Sequence, residues 1–306
     1  MPQYCFAFYT MELLQQLQKG NIKVLARIIS LVENEAGNYY GLLTRLPYSS
    51  TKITGITGPP GAGKSTLVDS LIGEFVAQNK KIGILCVDPS SPFNYGSLLG
   101  DRIRMSEWYN HPNVFIRSLS ARGSLGGLHP KIIEISDVMK AAPFDHIIIE
   151  TVGVGQSEVE IAGLADTTIV VAVPEGGDEI QTMKAGLMEI ADIFVVNKAD
   201  RPGADVFVKN LRQMLAPAFH RTQHTVAVLK TIASQKQGIK ELYTAIMEHQ
   251  QHALTNEKKS WLLADKAYHL IQQHRMQDIK KEVLKKEIEM LQVVSFNLYR
   301  FVEKYY

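Results

Sequence analysis

Gly58-Pro59-Pro60-Gly61-Ala62-Gly63-Lys64-Ser65 fits the pattern G-x-x-x-x-G-K-[ST] at every position. Its flanks fit as well. The β-branched run Ile53-Thr54-Gly55-Ile56-Thr57 precedes it, and Leu67, Val68, Leu71, Ile72 and Phe75 follow at helical spacing, so the sequence reads strand, loop, helix. In that setting glycines let successive backbone N–H groups turn inward around phosphates. The helix N-terminus adds its dipole. Lys64 adds a charge at the outer phosphates, and Ser65 a hydroxyl for magnesium. A chance Gly-rich turn would not match every position in this context.

Outward from the loop, short apolar runs at 82–87, 114–116, 146–149, 168–173, 193–196 and 227–232 alternate with helical patterns. Continuous apolar strands separated by helices predict a mainly parallel sheet, flanked by helices and buried on both faces. Ligands of such α/β folds bind at the C-terminal strand ends. Before the sheet, Leu13, Leu14, Leu17 and then Leu25, Ile28, Ile29, Val32 recur at helical spacing, with a break at Gly20-Asn21. From about Asn256 the composition shifts to Lys, Glu and Gln with an apolar stripe at Ile279, Val283, Ile288 and Leu291. That stripe reads either as a terminal helix packed on the domain or as a dimerisation arm. The expected division is an N-terminal helical extension at 1–47, a phosphate-loop domain at 48–250 and a C-terminal helical arm at 251–306.

The 306 residues carry 33 Lys+Arg against 31 Asp+Glu, a net charge of +2. That balance argues for neither nucleic acid nor an anionic membrane as partner. Cys5 and Cys86 stand far apart, so they build neither a disulfide framework nor a Cys-x-x-Cys metal site. The first ten residues lack the basic start of a signal peptide, and no apolar stretch is long enough to span a membrane. The expected location is the cytoplasm.

Four further segments carry chemistry. Asn197-Lys198-Ala199-Asp200 fits N-K-x-D after the apolar run 193–196. The Asp200 carboxylate can accept both the N1 and 2-amino protons of guanine, whereas adenine would leave it unpaired. Lys198 can lay its methylene stem along the base. Glu150-Thr151-Val152-Gly153 follows Ile147-Ile148-Ile149; Glu150 can hold magnesium opposite Ser65, and Gly153 leaves room for, and offers an N–H to, a γ-phosphate. Asp88, in Asp88-Pro89-Ser90-Ser91-Pro92-Phe93, is a second magnesium or water ligand candidate. Asp101 either completes that acidic shell or lies in a solvated turn. Arg117, Arg122 and the Gly-rich 123–127 run read as a flexible basic loop or a surface hinge. Pro174-Glu175-Gly176-Gly177-Asp178-Glu179-Ile180-Gln181 suggests a mobile switch, and Lys184 beyond it either reaches a γ-phosphate or is a helix-surface lysine. The nine histidines show no metal-ligand spacing.

Together the segments 26–34, 58–66, 87–93, 96–105, 115–128, 150–158 and 192–200 resemble the MeaB/ArgK/MMAA-type GTPases, which accompany adenosylcobalamin-dependent acyl-CoA mutases. The strings Val-Asp-Pro-Ser-Ser-Pro-Phe, Arg-Gly-Ser-Leu-Gly-Gly and Glu-Thr-Val-Gly-Val-Gly-Gln-Ser-Glu are more specific than a phosphate loop alone. The resemblance implies a G domain with an N-terminal helical piece and a C-terminal dimerisation arm, working as a homodimer. It implies slow GTP hydrolysis that gates cobalamin delivery to a mutase such as methylmalonyl-CoA mutase, or protects the loaded enzyme, with the cobalamin held by the partner. By resemblance Lys64, Ser65 and Thr66 contact phosphates and magnesium, Asp88, Asp101 and Glu150 form the acidic shell, and Asn197, Lys198 and Asp200 hold guanine. Segment 175–184 resembles a partner-responsive third switch, with Asp178, Gln181 and Lys184 as catalytic candidates beside Lys64 and Glu150. Asn94-Tyr95, the stretch 220–228 and the ending Lys304-Tyr305-Tyr306 depart from the family pattern. The alternatives are a metallochaperone-type GTPase for another metal centre, which requires Cys/His motifs, and a kinase or transport ATPase, which requires adenine preference.

Overall fold

The apolar runs become strands because helices cover both faces of the sheet they form. The computed structural model describes residues 3–88, 105–121, 128–153, 160–174, 185–219, 226–252, 256–291 and 296–305. Seven strands, β1 (Lys52–Thr57), β2 (Ile82–Asp88), β3 (Val114–Ser120), β4 (His146–Glu150), β5 (Thr167–Ala172), β6 (Ile193–Val196) and β7 (Ala227–Lys230), lie in the order β3-β2-β4-β1-β5-β6-β7. Every pairing is parallel. Successive residues of β4 face opposite sides. Ile147 and Ile149 join one apolar cluster and Ile148 the other.

The first cluster is closed by helices α1 (Gln3–Gln18), α2 (Ile22–Glu33), α3 (Tyr39–Leu43) and α5 (Ile132–Ala141), through Leu17, Leu25, Ile28, Ile29, Val32, Ile135 and Val138. The second is closed by α4 (Lys64–Ala77) and α8 (Ile239–His252), through Leu67, Leu71, Phe75, Leu242 and Ile246. Helices α6 (Ala185–Ile190) and α7 (Ala204–Phe219) cover Val170, Phe194 and Val196 with Leu187, Phe207 and Leu211. The break between α1 and α2 falls at Gly20–Asn21, as expected from the sequence. Asn21 caps α2 by accepting from the N–H groups of Lys23 and Val24.

Strand β3 is longer than the run 114–116. It continues through Arg117 and Ser118 in register with β2, so Arg117 belongs to a strand and not to a flexible loop. Beyond α4, Trp108 follows residues 89–104 and packs back on the helix, donating from Nε1 to Asp69 Oδ1 at 2.8 Å. Burial raises the Asp69 pKa, and the hydrogen bond from Trp108 opposes that rise.

The chain forms two compact units, Met1–Thr255 and Asn256–Tyr306. The second unit contains α9 (Asn256–Arg275), α10 (Lys281–Met290) and α11 (Leu298–Glu303). The expected stripe is divided there. Ile279 lies in the turn between α9 and α10, while Val283 and Leu291 are about half exposed. Within the unit Phe301 is in ring contact with Phe296 and Tyr305. Glu287 of α10 accepts from the Tyr305 hydroxyl at 2.8 Å and pairs with Lys304. Among the described residues no helix is long and apolar enough to cross a membrane.

At the opposite end of the sheet from the phosphate loop, His146 is buried, stacked on Phe75 and hydrogen-bonded to Thr54 Oγ1 at 2.8 Å. Burial pushes its imidazole down to about 4, against the raising effect of Asp166 and Asp145. The unfolded chain therefore takes up a proton near pH 6.5 that the folded chain refuses until about 4. Stability contributed by neutral His146 is complete above pH 6.5 and is lost as pH falls toward 4. Urea unfolding between pH 7 and 4.5 should show wild type losing about 2–3 kcal/mol more than His146→Gln. Equal losses would show that His146 does not govern this part of the acid sensitivity.

Candidate functional site

Strand β1 lies between β4 and β5, so the turn that leaves it emerges at the centre of the C-terminal edge. Space there is tight. A Cβ on Gly58 would lie 2.2 Å from the Val171 carbonyl oxygen, and one on Gly153, at φ 86°, would lie 2.2 Å from the Gly58 carbonyl oxygen. Both positions exclude a side chain outright. The same hypothetical Gly153 Cβ would meet Lys64 Nζ at 2.4 Å, which puts the residue read as γ-phosphate-facing directly beside the loop lysine. Pro59, Pro60, Gly61 and Ala62 form the body of the turn, and Gly63 is the N-cap of α4 with no side-chain cap bond. No side chain of Gly63 competes for the N–H groups of the first turn, the arrangement suited to an anion.

Lys64 opens α4 and is buried. Its ammonium donates to the carbonyls of Gly58 at 2.8 Å and Pro59 at 3.1 Å. Ser65 Oγ donates to Glu150 Oε1 at 2.7 Å, joining the first turn of α4 to the end of β4, and Thr66 continues that turn. Ile56 is the register partner of Glu150 in β1, and Cys86 its partner in β2. Asp88, two residues beyond Cys86, projects from the same face by strand alternation, and it too is buried, at 3% exposure. A hydroxyl and two carboxylates on the α4 face form a hard-oxygen donor set that fits magnesium, which commonly takes one or two carboxylates and keeps waters. Among the described residues no group of three or more His, Cys, Asp or Glu is placed to hold a metal ion. Asp101, Asp178, Gln181, Lys184 and Arg122 lie outside the described residues.

The N-K-x-D segment follows β6 and divides into two parts. Asn197 is buried. It donates from Nδ2 to the Ala62 carbonyl at 2.9 Å, and its Oδ1 accepts from Thr231 Oγ1 and the Ala233 N–H, each at 3.1 Å. Asn197 thus bolts the phosphate loop to the turn after β7. Lys198 adopts φ 55°, the left-handed region uncommon outside glycine, and the chain turns there to present Asp200 at the surface. The Ala199 N–H donates to the Thr231 carbonyl at 3.0 Å. Thr231 and Ala233 were not among the residues singled out by sequence. Their part is played by backbone groups and one hydroxyl, and the usable signal was only their place directly after a strand beside N-K-x-D.

The family described as Methylmalonyl Co-A mutase-associated GTPase MeaB matches residues 25–288. This chain belongs to the MeaB family. Consistent with that membership, it is 37% identical over 248 residues to the GTPase ArgK of Escherichia coli, covering 78% of this chain and 75% of ArgK. It is 35% identical over 270 residues to the fused isobutyryl-CoA mutase of Geobacillus kaustophilus, covering 81% of this chain and 24% of that longer protein. Among solved structures, a LAO/AO transport system kinase superposes with a TM-score of 0.64 at 25% identity, covering 96% of this chain and 95% of that one. The MeaB-family chain is therefore a GTPase. Arg117 is corrected along with its strand: it donates to Glu33 Oε2 at 2.6 Å and to Ser30 Oγ at 3.3 Å, so it is engaged away from the loop in which the sequence placed it.

Replacing Asn197 with Ala removes three buried hydrogen bonds and leaves the Ala62 carbonyl, Thr231 hydroxyl and Ala233 N–H to find other partners. Nucleotide-free protein should lose about 3 kcal/mol of stability in urea unfolding. A loss below about 1 kcal/mol would show that these bonds do not hold the two loops together.

Proposed function

We propose that this GTPase gates delivery of adenosylcobalamin to a cobalamin-dependent acyl-CoA mutase and protects the loaded mutase, with methylmalonyl-CoA mutase as the first candidate partner. The observation that carries the reading is the family match over residues 25–288, whose description names that mutase. The fused Geobacillus protein supports it, because a segment homologous to this chain forms part of a polypeptide named as an acyl-CoA mutase. The cobalamin belongs to the partner in this reading. The chain works as a homodimer in the cytoplasm, with 1–47 as helical extension, 48–250 as G domain and 251–306 as dimerisation arm.

The phosphates lie along the turn Gly58 to Gly63 and the first N–H groups of α4, with Lys64 swinging from the Gly58 and Pro59 carbonyls to the outer phosphates and Thr66 assisting. Gly153 offers its N–H to the γ-phosphate. Ser65, Asp88 and Glu150, with Asp101 beyond the described residues, hold magnesium, which when bound neutralises charge on the phosphate oxygens. Asp200 accepts the N1 and 2-amino protons of guanine, Lys198 covers the base, and Asn197 keeps their loop against the phosphate turn. Asp178, Gln181 and Lys184 complete the site when the mutase moves their segment. Intrinsic turnover is slow on this reading, because among the described residues no arginine is placed at the phosphate turn, and the mutase speeds it by moving Lys184 or a loop arginine into place.

GTP hydrolysis should rise at least about 10-fold when purified adenosylcobalamin-dependent methylmalonyl-CoA mutase is added, a modest share of what an added cationic donor supplies in related enzymes. ATP should not be turned over. Unchanged GTP turnover with that mutase and with isobutyryl-CoA mutase would remove the partner reading while leaving the GTPase. Asp200→Asn should weaken guanine nucleotide binding by about 100-fold and favour xanthosine nucleotides, whose 2-oxo group accepts from the amide. Retained guanine preference in a direct binding titration would take Asp200 out of the base site.

A further inference from the structure

The segment 26–34 contributes to the family resemblance but has no role in the nucleotide chemistry derived above. In the structure it forms the second half of α2 and its end. Its apolar side, Ile28, Ile29 and Val32, is buried in the cluster that contains Ile132, Ile135 and Val138 of α5. Its polar side meets β3. Arg117 donates to Glu33 Oε2 at 2.6 Å and to Ser30 Oγ at 3.3 Å, while Ser30 Oγ donates to the Ala26 carbonyl at 3.0 Å. Both charged side chains are sheltered, with 27% and 14% of their side-chain surface exposed, so the pair is less screened than a surface pair. A second pair lies nearby. Glu35, at φ 50° just past the helix, pairs with Lys131 at 3.1 Å, and Lys131 also pairs with Glu134 at 3.3 Å.

The strand gripped in this way is one of the two edge strands of the sheet. The pairing of β2 with β4 ends at Cys86 opposite Glu150, whereas its pairing with β3 continues through Val87 opposite Leu119 to Asp88 opposite Ser120. The Ala121 N–H then donates to the Asp88 carbonyl at 3.0 Å. The last turn of backbone that carries Asp88 is therefore held in the sheet through β3. Arg117 sits three residues before Ser120 in that same strand. Its side chain points to the α2 face, as those of Phe115 and Leu119 do, and the side chain of Asp88 points to the α4 face.

We propose that Glu33 and Arg117 are positioning residues for the nucleotide site. Their ion pair locks the edge strand β3 to α2, and β3 fixes the backbone that presents Asp88 beside Ser65 and Glu150. The proposal rests on the reading of Asp88 as a magnesium-facing carboxylate. It gives the N-terminal helical piece a part in cation-dependent nucleotide binding without any contact between that piece and the nucleotide.

The test uses the full chain and a fluorescent GDP analogue. The magnesium concentration that half-maximally slows release of the analogue is measured for wild type, Glu33→Gln, Arg117→Gln, the exchanged pair Glu33→Arg with Arg117→Glu, and Asp88→Asn. Glu33→Gln and Arg117→Gln should each raise the midpoint about 10-fold, the low end of the effect of removing a partner behind a metal ligand. Binding of the analogue without magnesium should stay as in wild type, and kcat/KM for GTP should fall at low magnesium and recover at saturating magnesium. The exchanged pair should recover most of the midpoint, a rescue that simple loss of packing would not allow. Arg117→Met, which keeps much of the apolar stem and removes the charge, replaces Arg117→Gln if that variant does not fold. If Asp88→Asn moves the midpoint and Glu33→Gln and Arg117→Gln leave it within twofold, the positioning role is overturned and the reading of Asp88 stands. If Asp88→Asn leaves the midpoint unmoved, the reading of Asp88 fails, and the route from Glu33 and Arg117 fails with it.

Discussion

The turn after β1 has no volume to spare, and the rest of the nucleotide end is arranged around that constraint. Gly58 passes so close to the Val171 carbonyl, and Gly153 so close to the Gly58 carbonyl, that the backbones of β1, β4 and β5 meet there without intervening side chains. Any shift of one is passed to the others because the contacts are backbone on backbone, which cannot relax by rotamer change. The order β4-β1-β5 makes this possible. A parallel sheet that places its phosphate strand between two buried neighbours delivers three chain ends to one point. Lys64 arrives at that point on α4 and Glu150 at the end of β4, and Ser65 closes the gap to Glu150.

Two longer-range ties hold the periphery to this centre, and they differ in kind. On the β6 and β7 side the tie is a neutral, buried amide: Asn197 spans the phosphate turn and the loop after β7 with three hydrogen bonds. On the β2 and β3 side it is a sheltered ion pair between Glu33 and Arg117. A buried amide is insensitive to salt and to pH across the physiological range, whereas an ion pair responds to ionic strength in proportion to its exposure. The base side and the cation side of the site therefore have different susceptibilities to solution conditions.

Most of the fold was legible because strands buried on both faces read as continuous β-branched runs: Ile147-Ile148-Ile149 and Phe194-Val195-Val196 admit few other interpretations. The phosphate turn was legible for a different reason, since the absence of side chains at Gly58 and the charge at Lys64 are themselves written in the sequence. What stayed hidden depended on partners distant in the chain. The run 114–116 looked finished at Arg117 because a charged residue interrupts an apolar pattern, yet Glu33 on α2 makes that charge tolerable and the strand continues. The start of α1 at Gln3 was obscured by an aromatic run without clear periodicity. Thr231 and Ala233 escaped notice because the groups they use are mostly main chain. The C-terminal stripe is legible only in part, because the chain turns at Ile279 and leaves Val283, Ile288 and Leu291 to α10 and its C-terminal cap.

Trp108 and Trp261 are the two tryptophans of the chain, and their settings differ sharply. Trp108 follows the segment that contains Asp101 and is hydrogen-bonded to Asp69 on α4, the helix that begins with Lys64 and Ser65. Trp261 sits on α9 in the other unit with 73% of its surface exposed. An indole in a sheltered hydrogen bond emits to the blue of one in water and is shielded from soluble quenchers, so iodide silences Trp261 first. The residual emission then belongs to Trp108. The protein thus carries an intrinsic optical label on its phosphate-loop helix, set apart by accessibility from the signal of its C-terminal unit.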